Sequence, residues 1–187
     1  MPREISSLKP QVEALLLSTK RKGVENLIAF LATTDYYVAP ASKNFHSSFI
    51  GGLTAHSCTV LNILSDKIDS LTVETEWRED TIIICSLLHD LCKIGTYKRN
   101  GAIYITEDDF PLGHGVKSVI LAMEYIKLTD FEKMAITHHM GVPETYGDRM
   151  TFNRAVALYP NIIYLHLADF ESSVVIEPIE LERRRIK

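Results

Sequence analysis

The chain has 187 residues, 46% of them apolar, and a formal net charge of −4, which is enough chain for one ordinary domain with a real core. The mild acidic balance, with no basic block, excludes a broad footprint for duplex nucleic acid; only a local basic site for a nucleotide or a short single strand is allowed. No apolar run approaches the roughly 18 residues of a spanning helix and the N-terminus has no apolar signal core, so the sequence predicts a cytoplasmic protein without a membrane segment.

Residues 6–19 open with Ser6 or Ser7 as a candidate N-cap and carry Val12, Leu15 and Leu16 at helical spacing. A second short helix spans 23–33, with Leu27, Phe30 and Leu31 as its apolar stripe. Residues 35–52 are broken by Pro, Ser and Gly and read as a loop, in which Tyr36, Tyr37 and His46 either line a pocket or tuck the loop down. Residues 53–68 form an amphipathic helix with Leu53, His56, Val60 and Leu64 in one stripe, which puts His56 on the core-facing side.

Residues 81–95 are apolar on nearly every side and contain no Gly or Pro before Gly95, so 77–95 is predicted as one continuous, buried helix. His89 and Asp90 sit in its middle. A buried, ionised Asp costs several kcal/mol unless it is paired or bound to a cation. Beside a His, the economical explanation is a divalent metal. Side chains adjacent on a helix point about 100° apart, so this pair can grip one ion between them. Lys93 lies one turn on, where a bound anion could meet it.

A hairpin signal covers 96–106, with Asn100-Gly101 as a type I′ turn. Glu107, Asp108 and Asp109 read as a solvated loop. His114 stands between two glycines at a helix start. Thr129 and Glu132 form a capping box, which launches a helix with Phe131, Met134, Ala135 and His138 on its apolar face and His139 rotated off it; Gly141 and Pro143 stop this helix. Residues 141–153 read as a polar loop offering Tyr146 and Arg149 as substrate contacts. The last helix starts either near Arg154 or near Pro160 and runs to Val174, with Ile162, Leu165, His166 and Asp169 on one face. The charged tail, 177–187, is frayed or docked as an extra turn. Cys58, Cys85 and Cys92 form no CxxC pair and read as small core residues. No repeat or second domain is visible, giving one domain over 1–187, with helices over 6–33 in front of a core at 45–173.

Taken singly, each polar residue on an apolar face has a bland explanation. A core His is usually just hydrogen-bonded, and His138 near a helix C-terminus is favourable without any metal. His166 reads as structural, or as orienting a ligand. Taken together, His56, His89, Asp90, His138 and Asp169 fall on buried faces of four predicted helices, and chance placement of so many metal-type side chains is improbable. The donors are nitrogen and oxygen only, which suits zinc, iron, manganese, cobalt or nickel, with magnesium admissible.

In this order the residues resemble the HD-domain metal-dependent phosphohydrolase superfamily, whose H…HD…D pattern maps onto His56, His89-Asp90 and Asp169. Leu88-His-Asp-Leu-Cys-Lys93 is similar to its HD-x-x-K string, and Leu165-His-Leu-Ala-Asp169 to its closing helix. His114 follows Asp90 by 24 residues and His138 follows His114 by 24, which resembles the six-ligand, two-metal branch. That branch includes cyclic-dinucleotide phosphodiesterases of the HD-GYP type, diadenosine tetraphosphate hydrolases and diiron oxygenases of the myo-inositol oxygenase type. The wording around His46–His56 and His138-His139-Met-Gly is nearest to HD domains of certain bacterial 3′-to-5′ exoribonucleases. The resemblance implies an all-α helical bundle with one small hairpin and two divalent metals. His56, His89, Asp90 and Asp169 would hold the first, with Asp90 bridging to a second completed by His114 and His138. It implies a phosphohydrolase acting through metal-activated water on a phosphomonoester or phosphodiester of a nucleotide or short nucleic acid. Lys93 would then meet a phosphate oxygen, where it would otherwise read as a surface Lys closing the helix C-terminus, and His139 would touch substrate, protonate the leaving group, ligate a third metal or lie at the surface. The alternative in the same branch is the diiron oxygenase. Substrate, metal identity and oligomeric state stay open.

Overall fold

A computed structural model of the protein describes residues 2–45, 47–101, 103–142 and 145–179, with backbone alone for 2–7 and 146. Expectations resting on His46, Pro143, the Tyr146 side chain and residues 180–187 lie outside the described residues. Among the described residues there are eight α-helices and one two-stranded antiparallel hairpin, the all-α class with a hairpin that the sequence predicts. None of these helices is long and apolar enough to cross a membrane.

Helices α1 (Pro2–Ser18) and α2 (Val24–Thr33) bury Val12, Leu16, Leu27 and Leu31 completely. Helix α1 begins before Ser6, so neither Ser6 nor Ser7 caps it. The centre is α3 (Gly52–Asp69) packed on α4 (Glu79–Leu88), with α8 (Ile163–Glu171) across α3. Leu53, Val60, Leu64, Ile84, Leu87, Leu88 and Leu165 are fully buried in one core. Each such side chain contributes about 1.5–3 kcal/mol of transfer free energy.

The continuous helix expected over 77–95 is not formed. Helix α4 ends at Leu88, His89 caps it, and Asp90 leaves the helical region at φ −108° and ψ 22°. A single tight turn, Leu91–Lys93, follows, and Gly95 takes φ 70°. Apolar content marks burial but does not distinguish a buried helix from a buried turn. Asp competes for its own backbone groups and favours such an exit.

Strands β1 (Tyr97–Asn100) and β2 (Ile103–Thr106) pair Asn100 with Ile103, so Asn100 is the last residue of β1 rather than the first residue of the Asn100-Gly101 turn expected. Helices α5 (His114–Met123) and α6 (Asp130–Thr137) follow, and Thr129 and Glu132 form the predicted capping box. Helix α7 (Tyr146–Leu158) occupies most of the stretch expected as a polar loop. Thr145 caps it by accepting the Asp148 N–H, and its mostly exposed residues give no apolar stripe to announce it. The chain breaks at Tyr159, makes a tight turn at Pro160–Ile162 and enters α8, the later of the two starts considered. A wider π-type turn, Ser172–Ile176, ends α8.

Buried charge ties the bundle together away from its centre. Glu132 is fully buried, completes the capping box and accepts from Arg21 at 3.1 and 2.5 Å; Arg21 also holds Asp80 at 2.8 Å. One guanidinium thus links the α1–α2 connection to α4 and α6.

Candidate metal centre

The exit of the chain from α4 at Asp90 brings three helices to one point. His56 comes from the second turn of α3, His89 and Asp90 from the end of α4, and Asp169 from α8. His56 Nε2 lies 3.1 Å from Asp169 Oδ1, 3.3 Å from His89 Nε2 and 3.6 Å from Asp90 Oδ2. His89 Nε2 lies 3.4 Å from Asp90 Oδ2 and 3.9 Å from Asp169 Oδ1. On the other side of Asp90, His139 Nε2 approaches Oδ1 at 3.6 Å. Of this pair of histidines the structure brings in His139, not His138. Helix α6 stops at Thr137 and His138 is already outside helical geometry at φ −107°, so helical periodicity does not extend to either residue. The His138 ring packs edge-on against Phe152 at 5.5 Å, belongs to no donor cluster among the described residues, and is pushed below its ordinary pKa by burial.

The tautomers follow from the hydrogen bonds. His56 Nδ1–H donates to Glu177 Oε1 at 2.6 Å, His89 Nδ1–H to the Ser86 carbonyl at 2.8 Å and His139 Nδ1–H to the Ile136 carbonyl at 2.8 Å. All three acceptors lack a proton to give, so Nδ1 is the donor in each ring. The Nε2 lone pairs therefore face inward, and in the neutral rings those of His56 and His89 oppose each other. The Nε2 of His139 is fully buried with no hydrogen-bond partner, since 3.6 Å is too long for one. Inward lone pairs facing two carboxylates demand positive charge, and the protonation equilibria register it. Burial pulls His56 down, but Asp169 and Glu177 more than offset this and hold it up at about 9. Burial likewise opposes ionisation of Asp90, yet Lys93, His89 and His139 hold its carboxyl well below the usual range. Burial also works against His139, but the Asp90 charge raises it. A divalent cation meets the same demand while accepting the lone pairs, so this donor set fits a metal.

Glu177 was not anticipated as part of the site. The wide turn after α8 swings it back to His56, where Ser172 Oγ donates to Oε1 at 2.7 Å and Ser47 Oγ donates to Oε2. Burial opposes its charge, but His56 holds its carboxyl below the usual value. A lone Glu beyond a regular helix carries no periodic signal. His166 Nδ1–H donates to the His139 backbone carbonyl at 2.8 Å, and its ring covers Gly141. Gly141 sits at φ 83°, and a Cβ there would lie 2.5 Å from that ring.

Lys93 is buried and its Nζ lies 2.5 Å from Asp90 Oδ2, rather than closing a helix at the surface. His114 stands at the exposed start of α5, where one of its nitrogens lies within 4.8 Å of an Asp90 oxygen and of Cys92 Sγ. Gly115 permits that approach: a Cβ there would meet the Ile136 and Thr137 carbonyl oxygens at 2.3 Å. Arg149 is exposed on α7. The acidic run stays at the surface, where Asp108 pairs with Lys117 at 2.6 Å.

No protein-family profile and no solved structure matches the chain. Among curated proteins it is similar to a dihydroneopterin 2′,3′-cyclic phosphate phosphodiesterase of Methanocaldococcus jannaschii, at 32% identity over 108 residues. The match takes in 54% of this chain and 42% of that protein, so the chain spans less than half the length of the relative.

Proposed function

We propose that the chain is a metal-dependent phosphohydrolase of the HD-domain type, cleaving a phosphoester of a small nucleotide-like molecule. One observation carries the reading: three imidazole Nε2 atoms, each with its Nδ1–H already committed, converge on Asp90 and Asp169 in a buried site. The relative adds the reaction class, since the activity in its name is hydrolysis of a cyclic phosphodiester on a heterocyclic substrate. The iron-oxygenase alternative has no observation in its favour.

In this reading His56, His89, Asp90 and Asp169 would hold one cation, and Asp90, His139 and His114 a second, with His139 in the place the sequence pattern gives to His138. The division follows the two Asp90 oxygens: Oδ2 faces His56, His89 and Lys93, and Oδ1 faces His139. When bound, such cations lower the pKa of a coordinated water to about 7 and neutralise charge building on the phosphoryl group. With Asp90 Oδ2 taken up by a cation, Lys93 would be free to present its ammonium to a phosphate oxygen, a point-charge role that suits Lys. Glu177 holds the His56 ring in its donor tautomer, and the Ser86 and Ile136 carbonyls do the same for His89 and His139. The HD-type core of residues 45–173 then extends to Glu177.

The test is metal analysis of protein purified without chelator, followed by a substrate panel of a 2′,3′-cyclic nucleotide, a cyclic dinucleotide, nucleotide monoesters and short RNA. Hydrolysis of at least one, lost with chelator and in Asp90→Ala together with the metal, is the expected result. Full activity in Asp90→Ala, or protein that takes up no divalent metal, would rule the reading out.

A further inference from the structure

We propose that Cys92 is a thiolate donor to the second metal position, beside Asp90, His114 and His139, and that it biases this position toward a thiophilic cation. This rests on the two-metal reading above and adds to it a donor that the nitrogen-and-oxygen set omits.

Cys92 owes its place to the break in α4. In a continuous helix, residues two apart point about 200° apart and cannot face one ion. The tight turn Leu91–Lys93 instead brings Cys92 Sγ to 3.9 Å from Asp90 Oδ1. Sγ, an Asp90 oxygen and a His114 nitrogen all lie within 4.8 Å of one another. A tetrahedral cation with bonds of about 2.0–2.3 Å spaces its donors roughly 3.3–3.8 Å apart, so the three atoms need to close by about 1.5 Å at most.

A second observation points to the same spot. His139 Nε2 is fully buried, has no hydrogen-bond partner, and is aimed at Asp90 Oδ1, the oxygen that Cys92 touches, at 3.6 Å. With its Nδ1–H given to Ile136, this nitrogen brings a lone pair to an anionic oxygen, and an ion between them satisfies both. A carboxylate oxygen, a thiol sulfur and a His114 nitrogen thus lie together, and the His139 nitrogen reaches the same carboxylate from the side of His89.

The donors are also mechanically joined. The Cys92 backbone N–H donates to Ser118 Oγ at 3.0 Å, and Ser118 is fully buried on α5, the helix that begins at His114. This bond ties the Cys92 backbone to the helix that carries His114, and the exposure of His114 gives a cation access from solvent. Cys58 and Cys85 belong to no donor cluster among the described residues. On binding, the cation replaces the thiol proton, which leaves to solvent, and the S–metal bond forms without any change of oxidation state. Thiolate favours zinc, cobalt or iron over magnesium or manganese at this position.

The test is a titration of chelator-stripped full chain with Co²⁺, counting bound cobalt and following the near-ultraviolet sulfur-to-cobalt charge-transfer band. Wild-type protein is expected to bind two cobalt ions, with the band appearing as the second position fills. Cys92→Ser is expected to lose the band and to bind one of the two ions at least on the order of tenfold more weakly. If Cys92→Ser fails to fold, retention of the band in Cys58→Ser and in Cys85→Ser assigns it to Cys92 by exclusion, and its loss in either overturns the assignment. Two cobalt ions bound without the band overturn the thiolate while leaving the two-metal reading intact. Failure to bind cobalt at all overturns both.

Discussion

At the scale of residues, the site is decided by which nitrogen of each imidazole is already engaged. His56 is the clearest case, because Glu177 takes its Nδ1–H at 2.6 Å and leaves Nε2 for the interior. A carboxylate on the outer nitrogen fixes the ring and raises its basicity as a ligand. Glu177→Gln keeps the shape but removes the charge, so metal affinity is expected to fall by about 10–100-fold. Competition against a chromophoric chelator reads this directly; unchanged affinity would make Glu177 a mere brace. The residues that were legible in advance, His56, His89, Asp90 and Asp169, sit on apolar surroundings where a polar side chain stands out. Glu177 was not, and His139 was singled out for substrate rather than in the place of His138, because each lies beyond the end of a regular helix, where 3.6-residue spacing no longer says which way a side chain points.

At the scale of elements, the centre depends on how helices end and how closely they approach. The break at Asp90 is what lets Oδ1 and Oδ2 face different partners, and a chain that continued helical to Gly95 would carry Cys92 away. Amphipathic stripes announced α2 and α3, and a capping box announced α6. They could not announce α7, whose surface is mostly polar, nor the end of α4, whose surroundings are apolar on both sides of the break. Gly115 gives a test of close approach. Ala inside a helix is ordinarily worth up to about 1 kcal/mol over Gly. Here the added Cβ would meet two α6 carbonyl oxygens at 2.3 Å, so α5 must move away from the end of α6. Gly115→Ala is therefore expected to destabilise by about 1–3 kcal/mol in urea unfolding, the opposite of the propensity effect. Because His114 and His139 sit at those two helix ends, weakened metal binding should accompany it.

At the scale of the whole molecule, charge acts in two ways that respond to different variables. Around Arg21, burial works against Asp80 ionisation, but the guanidinium more than offsets it and holds this carboxyl below its ordinary 3.8. A carboxyl lowered by folding stabilises the fold above its unfolded pKa and loses that contribution as pH falls through the folded value. The stability gap between wild type and Asp80→Asn is thus expected to be constant above about pH 5 and to close progressively below 3.8. Denaturant midpoints at a series of pH values measure it, and a gap that grew on acidification would contradict the pairing. The proposed metal centre would respond instead to cation concentration. Its donors come from α3, the end of α4, the start of α5, the end of α6 and α8, so a bound ion links elements far apart in the chain, a set the unfolded chain does not gather. A cation that binds only the folded state adds RT ln(1 + [L]/Kd), about 2.7 kcal/mol at 100 times Kd. At about 2–4 °C per kcal/mol for a chain of this size, chelator is expected to lower Tm by roughly 5–10 °C. Asp90→Ala should show no such difference between chelated and metal-supplemented samples, because removing the shared carboxylate dismantles both positions at once. Equal metal-dependent shifts in the two proteins would mean that the stabilising ion binds elsewhere.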